Sequence, residues 1–144
     1  MSRPVPGSRV AAAYLALVAV ATLLYWLDYF TAGAVHVRDD PVYHAFEGAF
    51  PVADAWMAAC SLLGAIGLWR GRASGFLCGL LAASSQVFLG LLDVSFNLNE
   101  GNYAIASAAM AVEILINAWL LVGAPLLIGW LWRNRGTLLA RSWR

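Results

Sequence analysis

The sequence is short of charge. Only 12% of its 144 residues are Asp, Glu, Lys or Arg, while 62% are hydrophobic, and the mean hydropathy is +0.72. A soluble domain carries about 25% charged and about 45–50% apolar residues. A chain so poor in charge cannot cover a water-facing surface without exposing large apolar patches. That argues against a soluble globular fold.

Other features are scarce too. The two cysteines, Cys60 and Cys78, form no CxxC pair, so no dithiol redox centre is expected and both read as small buried hydrophobes. With two histidines, His36 and His44, and no HExxH motif, a zinc site has little support, although His44 and Glu47 stand three residues apart. No metal is expected. There is no glycine-rich phosphate loop and no nucleophile–histidine–acid order. The net charge of +1 comes without a basic patch interleaved with aromatics, so nucleic acid is not an expected partner.

What the chain has in quantity is long apolar runs. Four of them, approximately 10–30, 41–69, 73–96 and 103–132, are long enough to cross a bilayer. The first is longer than a signal-peptide core and carries Asp28, so it reads as a retained span. Asp40-Pro41 offers an N-cap and a first-turn proline for the second, which Pro51 should bend. Arg70-Gly71-Arg72 ends the second span. The string Asn97-Leu98-Asn99-Glu100-Gly101-Asn102 turns into the fourth, and Arg133-Asn134-Arg135 ends that one. The fold class is therefore all-α: a single-domain polytopic membrane protein, a four-helix transmembrane bundle of two antiparallel hairpins.

Charge sets the orientation. Arg3, Arg9, Arg70, Arg72, Arg133, Arg135, Arg141 and Arg144 fall on one side of a four-span arrangement, and only Arg38 falls opposite. The positive-inside rule then puts both termini in the cytoplasm of a cell-membrane protein. Trp69, Trp130, Trp132 and Trp143 mark one interface. Trp26, Tyr29, Phe30, Tyr43, Phe46, Phe50, Phe96 and Tyr103 mark the other.

The acids carry the functional signal. Asp28, Asp39, Asp40, Glu47, Asp54, Asp93, Glu100 and Glu113 all lie in the outer half, facing one arginine. A charged group at a helix centre costs about 2.5–3.5 kcal/mol on insertion. Asp28, Asp54, Asp93 and Glu113 are therefore expected to converge on an interior site, with Glu113 the deepest, ten residues into its span. Helical spacing adds polar neighbours: Tyr25 below Asp28, Glu47 two turns before Asp54, Gln86 and Asn97 in the stripe of Asp93, and Asn117 one turn after Glu113. A weak internal repeat, Leu27-Asp28 against Leu92-Asp93 with a following Phe, would pair the acids symmetrically. Gly64, Gly67, Gly75 and Gly79 allow close helix packing.

The reading that follows is an outward-facing acidic intramembrane pocket. The protein would bind a lipid-like or cationic hydrophobic ligand, or act as an accessory subunit, in a homo-oligomer or larger membrane complex. The alternatives are a membrane-embedded acid/base enzyme, an isomerase or hydrolase on a lipid-like substrate, and a proton- or cation-coupled transporter acting as an oligomer. No cofactor is specified by the sequence.

Overall fold

The computed structural model describes residues 5–140. Arg3, Arg141, Trp143 and Arg144, which entered the charge and aromatic patterns above, lie outside the described residues. The described chain is all-helical. Its elements are α1 (Ser8–Thr31), α2 (Pro41–Glu47), α3 (Pro51–Trp69), α4 (Ser74–Asn99), a short 3-10 turn (Asn102–Ala104) and α5 (Ala108–Leu139). Four helical stretches are long and apolar enough to cross a membrane: Ser8–Thr31, Pro41–Trp69, Ser74–Asn99 and Ala108–Leu139. Their apolar side chains face outward all round the bundle, as with Leu23, Val52, Leu115 and Leu126, which suits a chain whose solvent is hydrocarbon.

Local chemistry explains most boundaries, including those that differ from expectation. Asp40 caps α2, accepting from the Val42 and Tyr43 amides, with Pro41 at the first helical position. The second stretch does not merely bend at Pro51. It breaks at residues 48–50, and Pro51 starts a new helix where its missing N–H is of no consequence. The fourth span begins later than expected, because Ser107 caps it by accepting from Met110 N at 3.1 Å. Glu113 is therefore five residues from the helix start, about 8 Å along the axis, and not ten. Asn97 belongs to α4 rather than to the turn after it. At its far end α5 continues through Arg133 and Arg135 to Leu139.

The helices pack in the order α1 on α3, α3 on α4, and α4 on α5. Glycine makes the central contact possible. A Cβ on Gly67 would overlap the Gly75 backbone, and one on Gly64 would come within 3.0 Å of Gly79 N. The four glycines that the sequence marked for close packing thus meet inside this chain, between α3 and α4. One core runs along the end of the bundle where α1 starts and joins Leu15, Leu68, Ala82, Ala83, Ala124 and Leu131. At that end Arg9 lies over the Trp69 ring at 5.8 Å, and Trp130 Nε1 donates to Pro6 O at 3.3 Å. A second core gathers Val37, Tyr43, Ala109 and Met110.

Because the α3–α4 backbones touch, Gly67→Val should force them apart and cost about 1–3 kcal/mol of stability. A lowered thermal midpoint in detergent, set beside an unchanged Gly129→Val control in open space, measures it.

Candidate functional site

A cavity of about 360 Å³ lies among α1, α2, α3, α4 and α5. Its lining is chiefly apolar and aromatic, including Trp26, Phe50 and Trp119, and is interrupted by four acids: Glu47, Asp54, Asp93 and Glu113. Glu47 and Glu113 are each 5% exposed. One carboxylate oxygen from each of Glu47, Asp93 and Glu113 lies within 4.8 Å of the others.

Neutral donors hold this cluster. Asn97 Nδ2 donates to Asp93 Oδ1 at 3.2 Å and to Glu113 Oε1 at 3.3 Å, joining the two acids through one amide. Asn117 Nδ2 donates to Asp93 Oδ2 at 2.6 Å. Asn102 Nδ2 donates to Asn97 Oδ1 at 2.8 Å and so orients the bridging amide. The Tyr25 hydroxyl donates to Glu47 Oε2 at 3.3 Å, and Trp26 Nε1 to Asp54 Oδ2 at 2.8 Å. No arginine or histidine is among these partners. The Asn117 Oδ1 atom is buried and has no hydrogen-bond partner among the described residues, although its side chain borders the cavity.

The sequence candidates divide cleanly. Tyr25, Glu47, Asp54, Asp93, Glu113 and Asn117 line the cavity. Asn97 stands behind it and orients two of the acids. Gln86 is fully buried, accepts from the Tyr14 hydroxyl at 2.6 Å, and is not in the lining. Asp28 does not join the other acids. Its carboxylate accepts from Val35 N at 2.9 Å and fastens the chain that leaves α1. Asp28 and Asp93 therefore do different work, despite the similar residues around them. Glu47 and Asp54 do share the cavity, but not through one helical face, since the helix is interrupted at residues 48–50 between them.

His44 is also apart from the acid cluster. Its Nε2 is 2.8 Å from Asp39 Oδ1 and its Nδ1 is 3.0 Å from the Tyr29 hydroxyl, while His36 packs edge-on against Tyr29. Trp26, Asn102 and Trp119 were not singled out as site residues by the sequence. Trp26 read as an interface aromatic and Asn102 as turn material.

The loops close one end of the site. Arg38 Nε is 2.6 Å from Asp40 Oδ2, and its Nη1 is 3.2 Å from Glu100 Oε2 and 3.1 Å from Asn102 Oδ1. The arginine thereby ties the chain between α1 and α2 to the chain between α4 and α5. The Tyr43 N–H, followed by the Arg38 guanidinium, holds the Asp40 carboxyl below its ordinary value. Burial, with Asp93 and Glu113 nearby, pushes the Tyr103 phenol up.

Chemically, three close carboxyl groups buried in a mostly apolar lining call for positive charge, supplied by protons or by a cation. Glu47, Asp93, Glu113 and the Asn117 carbonyl are the atoms that could hold one. A bare hard cation asks for about six to eight oxygens, and three of the carboxylate oxygens here already accept amide hydrogens. An ammonium asks only for three acceptors. Comparison with protein-family models, with curated proteins and with solved structures finds no match to this chain.

Two predictions follow from this geometry. Asn97→Ala strips partners from Asp93, Glu113 and Asn102 at once, and should cost about 1–3 kcal/mol in detergent unfolding. Asn134→Ala, which removes one bond to the Trp130 carbonyl, is its mild control. The Asp40 cap has a lowered carboxyl value, so its contribution is complete above about pH 4 and is lost as pH falls through that lower value. Amide-exchange protection of Val42 and Tyr43, corrected for intrinsic rate, should fall on acidification and stay level towards neutral pH.

Proposed function

We propose that the cavity binds a hydrophobic molecule carrying one positive charge, the ammonium seated among Glu47, Asp93 and Glu113 and the body among Trp26, Phe50 and Trp119. The observation that carries this reading is the unpartnered Asn117 carbonyl beside three clustered acids that form no ion pair with a basic side chain among the described residues. An ammonium would bring three N–H donors to a place offering carboxylates and one free amide oxygen. Trp26, Tyr25 and Trp119 add ring faces that attract cations, and the remaining apolar lining takes up the rest of the molecule.

On this reading the protein lies in the cell membrane as two antiparallel hairpins with both termini cytoplasmic and the acidic cavity in the outer half. The positive-inside rule supports that orientation. So does the Arg9–Trp69 contact, which brings the start of α1 beside Arg70, at the end of α3.

A second reading, an acid/base isomerase or hydrolase acting on a lipid-like substrate, is favoured by the Asp93–Glu113 pair bridged through Asn97. Two carboxyl groups held so close can serve as a proton donor and a proton acceptor.

Dodecylamine titrated calorimetrically into protein in lipid nanodiscs tests the first reading. Binding should weaken about tenfold, or about 1.4 kcal/mol, in Glu113→Gln. The neutral dodecanol should bind at least that much more weakly to the unaltered protein. Equal affinity for the amine and the alcohol would sink the reading. The enzyme reading instead requires turnover of a lipid co-purified with the protein, abolished in Glu113→Gln.

A further inference from the structure

The walls of the cavity differ in what lies behind them. α2, α3 and α4 form its back, contributing Glu47, Phe50, Asp54, Met57, Leu89, Gly90 and Asp93. α1 and α5 form its two sides, and these helices are the outer members of the packing order, joined closely to α3 and to α4 respectively. Five residues along those sides both line the cavity and are exposed: Leu17 and Ala21 on α1, and Val112, Leu115 and Trp119 on α5. Leu17 is 51% exposed and Leu115 is 69% exposed.

Both ends of the seam between α1 and α5 are closed. At one end Arg38 clamps the two loops through Asp40, Glu100 and Asn102, and buried Tyr43 packs with Met110. At the other, Tyr14 crosses from α1 to stack on Trp119 of α5, with centroids 5.6 Å apart and planes at 7°. Its ring also fills the space where a Cβ on Gly123 would stand. The open stretch therefore lies at the middle of α1 and over the second and third turns of α5, rimmed chiefly by aliphatic side chains, where a spanning bundle meets lipid tails rather than water.

We infer that the cavity opens sideways into the bilayer between α1 and α5 and takes a single-chain amine from the membrane, its ammonium drawn in to Glu47, Asp93 and Glu113 and its tail leaving through the seam. This rests on the cationic-ligand reading above and adds the ligand's class, its source and its pose. Charge complementarity fixes the direction. Glu47 and Asp93 stand at the back and Glu113 on the buried face of α5, while the exposed rim is apolar, so an amphiphile with one charged end fits head first. The exposed apolar rim at Leu17, Ala21, Val112 and Leu115 gives the tail its way out to hydrocarbon.

The test uses the full chain in vesicles with two photoreactive dodecylamines. One carries a diazirine at the chain end and the other carries it near the nitrogen. The near-nitrogen probe should label Tyr25 and residues around Asp93. The chain-end probe should label the seam, residues 17–21 and 112–119. Chain-end labelling on the loops at 32–40 or 100–107 would mean a tail leaving to water, and labelling at Met57 and Leu89 would mean a tail curled inside. Either result overturns the seam while leaving amine binding intact. Failure of both probes to bind would instead remove the cationic-ligand reading itself. Ala21→Trp, on the exposed rim, should weaken dodecylamine at least tenfold with the fold retained, and an unchanged affinity in that variant would also overturn the seam.

Discussion

Carboxyl groups buried in the bundle, with no basic side chain among the described residues paired to them, set the terms for the rest of this molecule. Their burial costs free energy that the apolar core cannot return, because hydrocarbon solvates no charge. What the fold supplies is neutral. Asn97, Asn117, Tyr25 and Trp26 turn N–H and O–H dipoles towards Glu47, Asp54, Asp93 and Glu113. Dipoles reduce the cost but add no charge, so the cluster stays receptive to a cation or a proton. An arginine in the same place would have neutralised the acids within the chain.

The helix arrangement serves the same constraint. The glycine contacts draw α3 and α4 together at one end of the bundle, where the tight core around Leu15, Ala82 and Leu131 lies. The acids sit beyond that core, where Trp26, Phe50 and Trp119 leave space between them. The break at residues 48–50 lets α2 bring Glu47 towards Asp93 and Glu113, a placement that a straight helix from Pro41 to Trp69 would not specify. Their spacing of four in α5 sets Glu113 one turn from Asn117, and both reach the level of Asp93, Asn117 directly and Glu113 through Asn97. Arg38 holds the two loops over this end, so its guanidinium is used in closing the site rather than in neutralising the acids.

Much of this was legible beforehand. Run length and hydropathy gave four spanning stretches, since a helix in lipid must be apolar over its whole length and that demand is written residue by residue. Asp40-Pro41 marked a helix start because capping is a local interaction. Tyr25, Glu47, Asp54, Asp93, Glu113 and Asn117 could be chosen because polar groups in an apolar run face inward. Asp28 could not be told from them by the same rule. Its carboxylate answers a backbone amide seven residues on, and nothing in helical periodicity foretells the path of a loop. Gln86 obeyed the rule, faced inward and found Tyr14 instead of the cavity.

The sequence by itself therefore determined that this chain has four stretches made for hydrocarbon and that its acids must turn away from it. Both follow from transfer energies that each side chain carries wherever it sits. Which acids meet, which amide bridges them, and where space is left between α1 and α5 were decided only by the tertiary structure. Those depend on helix breaks, glycine contacts and the rotation of each helix against its neighbours, distances between residues far apart in the chain that no single stretch encodes.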